Sequence, residues 1–192
     1  MKIIRWKWIG LILMFCFIPL LEARGADFSA DLIQKSDGMT TKSKYFQKGQ
    51  RIRTEMKSEE GKLVATLIDL KAKKMFQIVP AEKICMEMPL GGEFASWAAD
   101  EKTQREFYES KLIGTETVNG YLCDKYTLIP KKKGLETSTT WIAKKLGVQI
   151  KTVGKSYSIE FTNIKEGGLS DALFSVPAGY KRISMNDLMK DD

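Results

Sequence analysis

From residue 28 onward the chain alternates apolar and polar residues with a period of two, in short segments separated by turn-forming residues. Successive side chains of a strand point to opposite faces, so this pattern predicts an antiparallel β protein. About 11 segments fit the pattern. They are residues 28–35, 39–47, 51–57, 63–70, 75–79, 84–88, 111–118, 121–129, 137–143, 148–153 and 156–164.

Two kinds of break separate these strands. Asn119-Gly120 is the strongest hairpin signal, because a type I′ turn requires positive φ at both central positions. Between the sixth and seventh strands, Phe94, Trp97 and Tyr108 fall on one helical stripe, which predicts a helix with a partial apolar face. A short helical turn over 169–174 and a last extended piece follow, and 185–192 is expected to be a polar tail.

The N-terminus has the pattern of a cleaved signal peptide. Lys2, Arg5 and Lys7 precede an uncharged apolar run over 8–21. As a helix this run would span ~21 Å, short of the ~30 Å hydrocarbon core of a bilayer. Small residues at 23 and 25 predict cleavage after residue 25, with an uncleaved anchor as the alternative. The sequence thus predicts a signal peptide over 1–25 and one domain over 26–184 in the periplasm.

The cysteines fit that compartment. Cys16 lies inside the apolar run after Phe15 rather than after a small residue, so a lipoprotein signal is not indicated. Cys85 and Cys123 remain after cleavage, and an even count in an oxidising compartment makes a disulfide between them a candidate. Each shares a strand face with a charged residue, which predicts thiols on the polar side of the sheet. Pairing requires Cα atoms within about 7 Å, which the sequence does not establish.

Charge and composition exclude several functions. The sequence contains no histidine, the usual general base and the commonest zinc ligand, and it has no Gly-rich phosphate loop, GxSxG or CxxC motif. We therefore expect no catalytic residue, no metal and no cofactor; a pair of catalytic carboxylates is a remote alternative. The formal net charge is +7, but lysines cluster at the turns near 71–74 and 131–133, and nucleic acid is not an expected partner.

Methionines are the other unusual feature. Met86 and Met88 point the same way as Ile84 and Leu90, and Met75 begins a neighbouring strand. An ordinary sheet core explains this grouping. A pliable apolar cavity explains it too, because thioethers adapt to irregular ligands.

Three blocks resemble a known family: GTETVNGYLCDKYTLIP, TTWIAKKLGVQIKT and LSDALFSVPAGYKRI. They look like an uncharacterised family of exported bacterial proteins related to the periplasmic lipoprotein carriers and receptors, the LolA-like superfamily. The matching blocks cover about residues 114–183. The resemblance implies a curved, incompletely closed antiparallel β-barrel whose concave face is covered by one or two helices.

In the carriers, the space between sheet and helices accepts acyl chains. By this resemblance the segment 94–108, with Phe94 and Trp97, becomes a candidate lid, and Met75, Met86, Met88 and Trp141 become candidate cavity walls. The carriers' own lid-holding residues have no match here, so lipoprotein transport itself is not implied.

Two functions of different classes follow. The first is a non-catalytic periplasmic binding or carrier module for a hydrophobic ligand such as a lipid or a lipoprotein acyl chain. The second is an envelope interaction or sensor domain of the same fold, with a filled core and a protein partner on the sheet.

Overall fold

The structure, a computed structural model, describes residues 26–58, 60–90 and 106–184. These residues form twelve β-strands and two short 3₁₀ helices, at Pro80–Glu82 and Asp171–Phe174. The strands are β1 (Asp27–Ser36), β2 (Met39–Lys48), β3 (Arg51–Lys57), β4 (Leu63–Asp69), β5 (Lys74–Val79), β6 (Ile84–Pro89), β7 (Tyr108–Val118), β8 (Tyr121–Pro130), β9 (Ser138–Ala143), β10 (Val148–Val153), β11 (Tyr157–Glu166) and β12 (Lys181–Ser184).

Every strand predicted from the alternation is present. The largest change is at β7, which begins at Tyr108 rather than at residue 111. The hairpin signal is also confirmed, since Asn119 has φ 49° and Gly120 has φ 84° between β7 and β8. β12 is the extended piece expected near the end of the chain.

All twelve strands belong to one curved sheet that stays open. Its order is β12-β6-β5-β4-β3-β2-β1-β11-β10-β9-β8-β7, so β12 and β7 are its two edges. The predicted incompletely closed barrel is therefore confirmed only as a mainly β, curved and open sheet. The sheet is not purely antiparallel, because β12 pairs parallel with β6, nearly a hundred residues earlier in the chain.

The predicted helical lid falls mostly outside the described residues. Glu106 and Phe107 are helical and lead directly into β7, while 91–105 is not described. The same holds for the predicted signal peptide over 1–25 and for the tail over 185–192. Within the described ranges, no helix has both the length and the apolar character needed to cross a membrane.

The main apolar core lies where β1, β2 and β11 adjoin. Phe28, Tyr45 and Phe161 are almost fully buried there. The Tyr45 and Phe161 ring centroids are 4.5 Å apart, and those of Phe28 and Tyr45 are 5.6 Å apart. Such tilted aromatic contacts add to the free energy gained by burying the rings. The same apolar cluster extends to Ile68 on β4 in one direction and to Cys123 on β8 in the other.

Candidate functional site

The two faces of the sheet differ completely in charge over β1–β6. Side chains that pair across neighbouring strands share a face, so the register assigns every residue of these strands to one side. All Asp, Glu, Lys and Arg residues of β1–β6 lie on one face, which we call the charged face. The other face, which we call the neutral face, carries none.

The neutral face is apolar with interspersed hydroxyl and amide groups. Across β1–β6 it consists of Phe28, Ala30, Leu32, Gln34, Ser36, Met39, Thr41, Ser43, Tyr45, Gln47, Ile52, Thr54, Met56, Val64, Thr66, Ile68, Met75, Gln77, Val79, Ile84, Met86 and Met88.

Three of the predicted wall residues meet at one corner of the neutral face. Met75 on β5 pairs with Met88 on β6, and Met86 is two residues further along the same strand. Met75 and Met88 are half-buried, and Met86 is 9% exposed. We call Met75, Met86 and Met88 the methionine corner. The predicted common face of Met86 and Met88 is confirmed, Met75 joins them on it, and their role as cavity walls stays a prediction.

A row of polar side chains crosses the neutral face beside this corner. Thr54 on β3 pairs with Thr66 on β4, which pairs with Gln77 on β5. Thr54 and Thr66 are 7% and 8% exposed, and Gln77 is half-buried. We call Thr54, Thr66 and Gln77 the polar row. This row was not predicted from the sequence, although each of its residues occupies the position parity of its strand that carries no charged residue.

An apolar row runs parallel to the polar row. Ile52 pairs with Ile68, which pairs with Met75. Each of these residues is two positions along its strand from a member of the polar row, a separation of roughly 7 Å. The neutral face therefore presents hydrocarbon and hydrogen-bonding groups side by side.

Trp141 lies on β9, far from the methionine corner in the order of the strands. Following the register through β11 and β10 places Thr140 on the neutral side and Trp141 on the opposite one. Its indole Nε1 donates to Glu116 Oε2 at 3.0 Å, and Lys125 Nζ lies 4.9 Å from the ring centroid. The ring is buried beneath charged side chains of β7 and β8. The role of Trp141 as a cavity wall stays a prediction. The alternation within each strand carries no register across the many strands that separate β6 from β9, so the sequence does not place this ring relative to the methionines.

Phe94 and Trp97 lie outside the described residues, so their role as a lid stays a prediction. At the end of that segment, Tyr108 is buried on β7. Its pKa is raised to about 12, first by burial and then by the nearby Tyr157 and Glu136. Its phenol therefore stays protonated through the physiological range.

Cys85 lies on the charged face, as predicted, but it is fully buried rather than solvated. It packs with Ala65, Leu67 and Ile78, and this cluster is covered by Val176 and Tyr180. The covering residues belong to 169–184, which we call the strap. Burial raises the pKa of the Cys85 thiol. The prediction of a polar environment was wrong because the strap comes from a distant part of the chain.

Cations of β2 and β3 hold the strap. Lys48 Nζ donates to the carbonyl oxygen of Leu169 at 2.9 Å, and Arg53 Nη1 donates to that of Leu173 at 3.0 Å. Arg51 pairs with Asp171, and hydrogen bonds from Arg51 and Lys48 lower the pKa of the Asp171 carboxyl. The charged face is thus covered here by an ionic latch over an apolar patch.

The predicted disulfide is not present. Cys85 and Cys123 are both free, and each is fully buried in a different apolar cluster. Eight strands lie between β6 and β8 in the open sheet. Burial also raises the pKa of the Cys123 thiol. Both thiols are therefore held in their protonated, less reactive form.

Within the described residues, no cluster of three or more Asp, Glu or Cys side chains is arranged to hold a metal ion. The groups on the neutral face are thioethers, hydroxyls and amides, which bind by packing and hydrogen bonding. The chemistry that this arrangement offers is recognition of an uncharged, largely apolar surface.

The fold has a counterpart among solved structures. The sheet matches the crystal structure of an uncharacterized conserved protein from Thermus thermophilus with a TM-score of 0.59 and 12% identity, over 84% of this chain and 92% of that one. At this identity the match shows the fold alone.

Two further structures are more distant. The complex of MucA and MucB from Pseudomonas aeruginosa matches with a TM-score of 0.47 and 13% identity, over 80% of this chain and 56% of that one. A LolA superfamily protein from Nitrosomonas europaea matches with a TM-score of 0.36 and 9% identity, over 80% and 91%. The chain spans just over half of the MucB chain.

Sequence comparisons give the family. A search of curated proteins finds no match. The family model described as a domain of unknown function, DUF4412, matches residues 30–152, which include β2–β9 entirely and most of β1 and β10. The expected resemblance to an uncharacterised family is confirmed. The chain belongs to the DUF4412 family.

Proposed function

We propose that this protein is a non-catalytic binding or carrier module for a hydrophobic ligand, such as a lipid or a lipoprotein acyl chain. The ligand lies along the neutral face, against the apolar row and the methionine corner. The leader-like N-terminal sequence supports placing this function in the periplasm, after export.

The observation that carries the proposal is the separation of charge between the two faces. Uncharged side chains cover six consecutive strands on one side, and the main core is packed against part of that side. At its β5–β6 end Met75 and Met88 are half-buried. Flexible thioether side chains suit a site that accommodates chains of variable shape.

The test uses full-length protein expressed with its own leader and purified from the periplasm without detergent. Native mass spectrometry before and after lipid extraction reports whether an amphiphile is bound. We expect a bound acyl compound, or uptake of added 1-monolauroylglycerol. Protein that carries no amphiphile and takes up neither 1-monolauroylglycerol nor laurate contradicts the proposal.

A pair of variants locates the site. Met88→Asp places a charge in the apolar wall, where desolvation is costly, so bound ligand should be lost. Ile33→Asp makes the same kind of change at a half-buried position of the charged face and should leave binding intact. Matching circular dichroism spectra are required for both variants. Equal losses in the two variants contradict a site on the neutral face.

A second candidate, binding of an envelope protein, is supported by the edge strand β7. Every residue between Tyr108 and Val118 is exposed, including Leu112 at 55% and Ile113 at 49%. A free sheet edge offers backbone groups that pair with an extended segment of a partner.

Site-specific photo-crosslinking tests this candidate. A crosslinker at Ile113 should yield a product of discrete mass that disappears in the background of Leu112→Lys. A crosslinker at Val153, an exposed apolar residue of β10, is the control. The same products from both positions contradict partner binding at β7.

A further inference from the structure

The polar row differs from the neighbouring pair Tyr45 and Gln47 in its hydrogen bonding. Tyr45 and Gln47, one strand away, satisfy each other, with Tyr45 Oη donating to Gln47 Oε1 at 2.9 Å. Within the described part of the chain no side-chain hydrogen bond is formed by Thr54, Thr66 or Gln77, and their polar atoms are not among the fully buried unpartnered ones, which are Asp27 Oδ1, Ser138 Oγ and Gln149 Oε1. The hydroxyl and amide groups of the row are costly to bury unless a partner is supplied.

Among the described residues, the strands around the polar row present no charge on its side of the sheet. On the neutral face, β1–β6 present no Asp, Glu, Lys or Arg, and the first charged residue on this side beyond β6 is the exposed Lys181 of β12. An ionised group bound at the row would lose its hydration without gaining a counter-ion. A neutral hydrogen-bonding group avoids that cost.

The chemistry of the row fits a carbonyl ester. A threonine hydroxyl both donates and accepts, and the glutamine amide donates through its nitrogen and accepts through its oxygen. A carbonyl beside an acyl chain would accept from the row while the chain packs on the apolar row roughly 7 Å away. A free hydroxyl of the same ligand would form hydrogen bonds with the donors and acceptors of the row that the carbonyl leaves unused.

We propose that the ligand is an uncharged fatty acyl ester whose carbonyl is bound by Thr54, Thr66 and Gln77, and that ionised fatty acids are rejected. This inference rests on the proposed function and adds the class of ligand. A glyceride and a diacylglyceryl-modified peptide both carry this acyl ester.

The first experiment compares two probes with the same acyl chain by isothermal titration calorimetry at pH 8, below their critical micelle concentrations. 1-Monolauroylglycerol is uncharged, whereas laurate is ionised at this pH. We expect 1-monolauroylglycerol to bind at least tenfold more tightly. A synthetic diacylglyceryl-cysteine peptide, used as a competitor, distinguishes a peptide-linked source from a free glyceride.

Conservative variants test the row itself. Thr66→Val and Gln77→Met keep the volume and remove hydrogen-bonding groups, so each should weaken binding of 1-monolauroylglycerol about three- to tenfold. Thr139→Val, at a half-buried threonine on the opposite side of β9, is the matched control and should have no effect.

Gln77→Lys gives the sharpest test. Gln77 is half-buried, so a lysine there can keep its ammonium group partly solvated beside the ligand. This variant should reverse the preference and favour laurate. Equal affinity of the wild type for both probes, or no change of preference in Gln77→Lys, overturns the ester proposal while leaving ligand binding in place. Binding of neither probe overturns the ester proposal, and it overturns the proposed function as well if the purified protein carries no amphiphile.

Discussion

Strands β4–β6 present an apolar surface on each face of the sheet, and the two surfaces differ in how far other parts of the protein cover them. On the charged face, Ala65 and Cys85 are fully buried because the strap lies over them. On the neutral face, Met75 and Met88 stay half-buried at the methionine corner. The first surface is closed by a fixed segment of the protein itself. The second combines adaptable side chains with unpaired hydroxyls, which is typical of a surface that recognises a ligand.

The largest expected effect is a difference in the free energy of unfolding between a variant in the core and a variant at the methionine corner. Phe161→Ala removes a ring packed between Phe28 and Tyr45, and should lower the free energy of unfolding by ~3–5 kcal/mol. Met75→Ala, at a half-buried position, should cost only ~1–2 kcal/mol. Urea unfolding followed by circular dichroism measures both. Equal losses would mean that the corner is packed as tightly as the core.

The covering of the charged face is tested through its thiol. Tyr180→Ala removes a side chain that packs on the Cys85 cluster, so Cys85 in the native protein should react at least tenfold faster with 4,4′-dithiodipyridine. Peptide mass mapping assigns the label, and Cys123, in the other apolar cluster, should keep its rate. An unchanged rate for Cys85 would mean that the strap does not protect it.

The ionic latch makes this protection depend on pH. The pKa of Asp171 lies below its ordinary value of 3.8 in the folded protein because Arg51 and Lys48 bind its carboxylate. A lowered carboxyl pKa stabilises the folded form above that ordinary value, and the contribution disappears as the pH falls through the lowered pKa.

Asp171→Asn should therefore speed the labelling of Cys85 about two- to fivefold at pH 5, and the difference from the wild type should be smaller at pH 2. The rate is normalised to denatured protein at each pH. A difference of the same size at both pH values would show that the carboxylate charge is not the cause.

The smallest expected effect concerns space at the methionine corner. Met88→Trp should change the free energy of unfolding by less than ~1 kcal/mol if the corner adjoins ligand space, whereas overpacking a filled core costs ~1–3 kcal/mol. Circular dichroism and urea unfolding of ligand-free protein measure it. A loss in the higher range would favour the interaction-domain alternative over a cavity.

Local features of the fold could be read from the sequence. The strands follow from alternation within each segment, and the hairpin at Asn119-Gly120 follows from two residues that accept positive φ. These signals need no information about distant residues. The common face of Met75, Met86 and Met88 required only one additional pairing, between neighbouring strands.

Features that depend on long-range register could not be read in the same way. The side on which Trp141 lies depends on pairings accumulated across the sheet, including an irregular register between β9 and β10. The burial of Cys85 depends on a strap from far along the chain. The sequence does contain a signal for the polar row, because the charged residues of each strand from β1 to β6 occupy only alternate positions. The register of all six strands is needed, however, to show that these positions lie on the same face of the sheet.

The strap also sets the order in which parts of the sheet can fold. β6 ends at Pro89 and β12 begins at Lys181, so this pairing forms only after residues well beyond β11 have emerged during synthesis or translocation. Until then Cys85 lies on an uncovered edge, open to oxidants and to other thiols. Docking of the strap ends that interval. The solvent accessibility of the Cys85 thiol therefore reports whether the strap and β12 have docked onto the sheet.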